Sequence, residues 1–319
     1  MTRKKDIYTI TEDLNELKDN IFRKLPETII EALSMVIKQM EISGNRPRTI
    51  RDYELHVSNF IKETGVRKVQ DIDVSSIYYW LSKMNVSNQT RLTRLKCLKA
   101  FLSRCLDNGW IENNFWKLIK VKVDSKIKEG TTDEDINQLL SKLDFKDYIQ
   151  LRDGTAALLM YRTGIRLNTL SLLQVKHIDF DINMLKLDGS IMKNHEQLLL
   201  PFDEVLHRLL KALIRQNEKI IHNNNKENSF VFITRNANSI SDNKTNNIIP
   251  KRLKSYSEKF GISNIRPHDL RRGFAKNLYN KGASVALISR ALGHSNISVT
   301  TSYLHLDKEE VARDLRKHL

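Results

Sequence analysis

Between Glu27 and about Lys120 the apolar residues return every three or four positions in four successive runs. They are Ile30, Leu33, Val36, Ile37 and Met40; Tyr53, Val57, Phe60 and Ile61; Ile77, Trp80 and Leu81; and Leu95, Leu98, Phe101, Leu102 and Cys105. That period places each set on one side of a helix, so the stretch predicts a helical unit with its core between amphipathic faces. A polar, partly helical lead-in precedes it around Leu14, Leu17 and Ile21. Beyond it the chain turns polar and charged, with Lys122, Lys126 and Lys128, before Thr131 or Thr132 caps a new helix ahead of Asp133 and Glu134. The predicted division is a lead-in over 1–25, a helical domain over 26–120, a linker over 121–131 and a second domain over 132–319.

The second domain mixes periods. Met184 to Leu187 and Leu198 to Leu200 read as two short apolar strands joined by a polar connection from Gly189 to Gln197. Farther on, Pro267 suits the first turn of a helix that ends near Gly282, Ser284 suits the cap of a second, and Gly293 closes it. Ser295 or Ser298 can cap a third segment that carries Tyr303. The fold class is therefore mainly α with a small β-sheet in the C-terminal domain. His268 and Arg271, three apart, share one face at a helix N-terminus, where free N–H groups favour phosphate.

The order His268-x-x-Arg271, Leu292-Gly293-His294 and then Tyr303, nine positions later, resembles the C-terminal signature of the tyrosine recombinases, the phage-integrase and Xer-like family. Thr163-Gly164-Ile165-Arg166 resembles the family's Thr-Gly-Leu-Arg element. Lys193 lies eight residues before Pro201, the separation at which the family places a catalytic lysine on a β-hairpin. Residues 27–120 resemble the family's helical, SAM-like core-binding domain, with Thr49 and Tyr53 opening its second helix and Asn114 closing it. One position departs: the family has an acid three residues after its first arginine, where this chain has Thr169.

The resemblance implies a DNA strand transferase for site-specific recombination. A phosphodiester under attack gathers charge on its non-bridging oxygens, which guanidinium groups match; Arg166 and Arg271 would supply that clamp. Tyr303 would be the nucleophile, His268 its base, Lys193 the acid for the departing 5′ oxygen, and His294 a donor to a phosphate oxygen. The product would be a 3′-phosphotyrosyl link that a partner strand's hydroxyl reverses. The exchange conserves bond energy, so neither cofactor nor metal is expected, and no P-loop, His-Glu-x-x-His or Cys-x-x-Cys occurs. The expected job serves a mobile element, by integration and excision or by resolution.

Charge supports the partner. With 53 Lys+Arg against 38 Asp+Glu and a net charge of +15, the chain is drawn to polyanions, double-stranded DNA first. The helix bearing Arg91, Arg94, Lys96, Lys99 and Arg104 is a candidate phosphate-contacting surface, although such a run is by itself commonly a solvated face. No apolar run approaches a membrane span and the N-terminus lacks a signal-peptide core, so a cytoplasmic protein without membrane contact is expected. Cys97 and Cys105 read as small core residues. The short stretch before Glu27 leaves no room for a separate arm-site domain and argues for simple sites. The amphipathic tail from Asp307 to Leu315 resembles one that docks on a neighbouring protomer, implying a monomer in solution and a homotetramer on synapsed DNA. Two alternatives stand beside this: a catalytically silent DNA-binding protein of the same fold, and a type IB-like relaxing enzyme. Taken singly, Arg166 also reads as a simple ion-pair partner for Asp153, and either histidine as a ring held by backbone carbonyls.

Overall fold

The structure is a computed structural model that describes residues 26–124, 129–192, 196–242, 247–294 and 296–304, apart from the side chains of Ser302 and Tyr303. The lead-in, Lys126 and Lys128 of the linker, Lys193, Ser295 and the tail from Asp307 lie outside the described residues. The chain divides into two compact units, Met1–Ser125 and Lys126–Leu319. The described portion is mostly helical, with one small antiparallel sheet in the second unit, as the apolar periods predict.

In the first unit α1 (Ile29–Ile42), α2 (Pro47–Thr64), α3 (Val74–Ser82) and α4 (Asn88–Asp107) enclose one core. Thr28, Asp73 and Ser87 cap α1, α3 and α4 by accepting backbone N–H bonds, and Gly65 ends α2 in the left-handed conformation at φ 71°. The buried stripe of α1 is Ile29, Leu33, Val36 and Met40, while Ile30 is 67% exposed. Ile30 sits about 100° round the helix from Ile29, and the stripe follows i, i+4, i+7 from the earlier residue.

Two of the five α4 cations have structural work. Arg91 donates Nε to the Leu81 carbonyl at 3.2 Å and Nη2 to the Met84 carbonyl at 2.8 Å, capping the C-terminal end of α3. Lys99 donates Nζ to the Ile119 carbonyl at 2.6 Å, tying α4 to the segment that leaves the unit. Lys96 is exposed and Arg94 half-buried. The charge run is thus not a uniform face.

The second unit is built round α6 (Tyr148–Thr163), which follows α5 (Asp133–Lys142) and is buried along nearly its whole length. Its buried charges, Arg152 and Asp153, are paired with each other at 2.7 Å, as enclosed ions must be. Thr132 caps α5 in a reciprocal box with Asp135. After α7 (Leu167–Ser171) come β1 (Ile178–Asp179), β2 (Met184–Leu187) and β3 (Leu198–Pro201), in sheet order β1-β2-β3. The pairing of Met184 with Pro201 and Leu187 with Leu198 buries Leu185, Leu187 and Leu200 and turns Lys186 and Leu199 outward. The two-residue β1 is too short to show a period of its own.

Then follow α8 (Glu204–Asn223), α9 (Ile248–Phe260), α10 (Pro267–Asn280), α11 (Val285–Ala291) and α12 (Ile297–Leu304). α10 packs on α6, with the segment before α5 laid across it. Thr131 donates its backbone N–H to the Asp269 carbonyl at 3.0 Å and its hydroxyl to the Asn264 carbonyl. The approach requires Gly273, where a Cβ would come closer than 3.0 Å to both the Thr131 carbonyl oxygen and the Tyr161 ring. Backbone and ring cannot both retreat, so Gly273→Ala is expected to destabilise the unit by about 1–3 kcal/mol. Thermal unfolding should fall by roughly 2–4 °C per kcal/mol; an unshifted transition would show that the approach is loose.

Candidate active site

Gly164 ends α6 at φ 65°, and a Cβ there would run into the Phe274 ring. This close-packed turn carries Ile165 into the core and leaves Arg166 at the N-cap of α7, where its Nη2 donates to the Gly293 carbonyl at 3.3 Å. From the other side, Arg271 leaves the second turn of α10 only 3% exposed. It donates Nη1 to the Gly164 carbonyl and Nη2 to the Leu292 carbonyl at 2.6 Å, and Nη2 also meets His294 Nε2 at 2.9 Å. Two sequence motifs more than 100 residues apart are therefore joined by the arginines themselves.

Asp153 is not the partner of Arg166. That carboxylate is fully buried and occupied by Arg152 at 2.7 Å, Arg252 at 2.9 Å and the Tyr256 hydroxyl at 3.0 Å. The ion cluster braces α6 against α9, so the ion-pair alternative for Arg166 falls away.

α11 begins at Ser284, whose hydroxyl accepts the Leu287 N–H, and Gly293 follows it at φ 59°. His294 is then held by its backbone N–H to the Ser289 carbonyl at 3.0 Å. Its ring meets two side chains: Nε2 faces Arg271, and Nδ1 lies 2.9 Å from Thr300 Oγ1 on α12. The cap of α12 also differs from expectation. Asn296 accepts the Ser298 N–H at 2.8 Å, so Ser298 lies inside the helix and the Asn296 amide closes its first turn. Tyr303 belongs to α12, one turn after Thr300.

Arg166, His268 and Arg271 line one cavity of about 700 Å³. Lys254 of α9, Arg266 at the N-cap of α10 and Arg272 within α10 line it too, adding cations outside the motif set. Arg272 adjoins the signature and was legible there; Lys254 shows in sequence only as an exposed helical position. Arg272 is paired with Asp269 at 3.2 Å and Lys254 with Glu258 at 3.5 Å. Such a cavity attracts an anion and has room for a backbone phosphate.

Both histidines are held neutral. For His268, loss of hydration lowers the pKa, and the charges of Arg272, Arg271 and Arg166 add to this against Asp269. For His294, burial and then Arg271 and Arg166 bring it to about 4. A folded-state value below the ordinary 6.5 means that the unfolded chain binds the proton first, so this contribution to stability is present above about pH 6.5 and is lost as pH falls towards 4. The stability difference between wild type and His294→Gln should therefore shrink between about pH 7 and about pH 4.5 in urea titrations. A difference that does not change with pH would contradict it.

Lys193 lies outside the described residues, but the connection that bears it is anchored on its N-terminal flank. Thr169, 2% exposed, donates its hydroxyl to the Ile191 carbonyl at 3.3 Å. Asp188, at the end of β2, accepts the Ser190 N–H at 3.0 Å and the Ser190 hydroxyl and meets His177 Nε2 at 3.1 Å, interactions that hold its carboxyl at about 2. Thr169, where an acid was expected, thus links the helix that starts beside Arg166 to the lysine's segment.

Comparison with known proteins places this geometry. Residues 129–310 match the model of the phage integrase family. Tyrosine recombinase XerC of Staphylococcus haemolyticus is 23% identical over 292 residues, spanning 91% of this chain and 95% of its own. The Tn1549 transposon integrase in complex with transposon right end DNA superposes with a TM-score of 0.70 at 18% identity, over 90% of this chain and 99% of that one. The XerH site-specific recombinase bound to a palindromic difH substrate gives 0.67 at 19% identity, over 89% and 83%. Among the described residues no helix is long and apolar enough to cross a membrane.

Proposed function

The chain belongs to the phage integrase family, the tyrosine recombinases, and on that premise we propose that this DNA strand-transferring enzyme recombines specific sites through a 3′-phosphotyrosyl link to Tyr303. The observation that carries the reading is the convergence of Arg166, His268 and Arg271 on one cavity, with His294 bonded to Arg271 and, through Thr300, to the helix that bears Tyr303.

In this mechanism the scissile phosphate enters the cavity and its non-bridging oxygens meet Arg166 and Arg271, whose positions are set by carbonyls before DNA arrives. Neutral His268 takes the phenolic proton, which its lowered pKa permits at neutral pH. A bond forms between the Tyr303 oxygen and phosphorus as the bond to the 5′ oxygen breaks, and Lys193 delivers a proton to that oxygen. Attack by the 5′ hydroxyl of a partner strand reverses the step and joins the strands anew. Lys254, Arg266 and Arg272 hold neighbouring phosphates.

Residues 26–120 form the core-binding domain, with Arg94 and Lys96 as phosphate contacts, and residues 121–131 strap it to the catalytic domain over 132–319. The substrate is duplex DNA, engaged by four protomers on two synapsed sites and by a monomer otherwise, in the cytoplasm and for a mobile element. The test is incubation with DNA from the borders of the gene's own locus, followed by denaturing electrophoresis with and without protease. A protease-sensitive adduct and recombinant product are expected. Binding without adduct favours the silent reading, and plasmid relaxation without recombinants favours the relaxing enzyme.

A further inference from the structure

We propose that Gly130 and Thr131, the last residues of the strap between the domains, are positioning residues for Arg271: they back α10 on the side away from the clamp and so fix how far the guanidinium reaches. The catalytic half of this rests on the recombinase reading; the packing half stands on the contacts of residues 130–133.

Successive residues of a helix lie about 100° apart, so Asp269, Gly273 and Asn277, each four after the last, share one side of α10. Arg271, two residues from both Asp269 and Gly273, leaves the helix on the opposite side. The first side is covered by the chain that enters the catalytic domain. Thr131 donates its backbone N–H to the Asp269 carbonyl at 3.0 Å and its hydroxyl to the Asn264 carbonyl just ahead of the helix. A carbonyl only accepts, so the direction of both bonds is fixed. Gly130 lies directly on the next turn: a Cβ there would stand 2.5 Å from Gly273 N and 2.7 Å from Arg272 C. Asp133 follows, accepting Asn277 Nδ2 at 3.0 Å and the Tyr161 hydroxyl at 2.9 Å.

Across the helix, Arg271 reaches the Gly164 and Leu292 carbonyls. α10 is thus held from both sides, and the place of its axis between them sets the place of the guanidinium. Thr131 is only 3% exposed, so its two donors cannot turn to water without unseating the chain. With the backing displaced, α10 has room to withdraw, and a shift of about 1 Å at a reacting centre can cost roughly 100-fold in rate. The end of the strap therefore supports the clamp as well as joining the domains.

The experiment uses the full chain and DNA from the borders of the gene's own locus, with single-turnover adduct formation followed well below each variant's unfolding temperature. Gly130→Ala, which sets a methyl against the α10 backbone, should slow the adduct roughly 10- to 100-fold while DNA affinity stays within about twofold. Thr131→Val, which keeps the shape and removes the hydroxyl donor, should slow it about tenfold, and Thr131→Ser should restore it. Folded variants that unfold at a lower temperature yet cleave at the wild-type rate would show a purely structural role and overturn the proposal. A second measurement needs no variant: in the DNA-free wild type the Thr131 amide should exchange its hydrogen as slowly as that of Leu270, which is bonded within the α10 turn to the Arg266 carbonyl at 3.0 Å. Exchange of Thr131 at the rate of an open chain would overturn the proposal even if both variants failed to fold. Absence of adduct from the wild type, with a slowly exchanging Thr131, would sink the recombinase reading itself and the positioning role with it.

Discussion

Tyr303→Phe is expected to bind its DNA as wild type does and to form no covalent adduct. Phenylalanine keeps the ring and removes only the oxygen that would attack phosphorus. The effect is all-or-none because a transfer that proceeds through a covalent link has no slower version without the nucleophile. Gel-shift titration and denaturing electrophoresis on the same samples separate binding from chemistry. An adduct that survives the substitution would move the nucleophile elsewhere and dismantle the assignment of the signature.

Arg271→Ala should fail in two ways at once. The side chain is almost wholly enclosed and satisfies acceptors on three segments: the turn at Gly164, the end of α11 at Leu292, and His294. Each buried acceptor left without its donor costs about 1–3 kcal/mol, so a loss of roughly 3 kcal/mol or more in the unfolding of the C-terminal unit is expected. Cleavage should fall by about 10³-fold or more, the order seen when a preorganised donor to transition-state charge is removed. Arg271→Lys keeps the charge but loses the planar fork that reaches several acceptors. It should recover much of the stability and little of the rate. Adduct formation near the wild-type rate in a folded lysine variant would show that Arg271 only holds the fold together.

Legibility varied with the range of the interaction. The helices of the first unit were readable because an amphipathic period is written within a dozen residues, as in α4, where Leu95, Leu98, Phe101, Leu102 and Cys105 are all buried. Even so, the period tolerates a slip of one residue at a helix end, so that by itself it puts Ile30 in the stripe that Ile29 occupies. β2 and β3 were readable as apolar runs, whereas β1 exists only because β2 pairs with it. The charge run on α4 read as one surface, yet Arg91 and Lys99 turn their donors to carbonyls whose positions depend on how α3 and the exit segment pack.

The candidate site divides in the same way. The order and spacing of Arg166, His268, Arg271, His294 and Tyr303 lie in the chain itself, and with them the family. That Arg271 is buried, that Asp153 belongs to Arg152 and Arg252, and that Thr169 holds Ile191 depend on contacts between segments far apart in sequence. So does the seat of the His294 ring. Local spacing determines which groups share a turn or a face. Only the packed structure brings Arg271 to one side of that ring and Thr300 to the other, because hydrogen bonds and charge depend on distance in space and not along the chain.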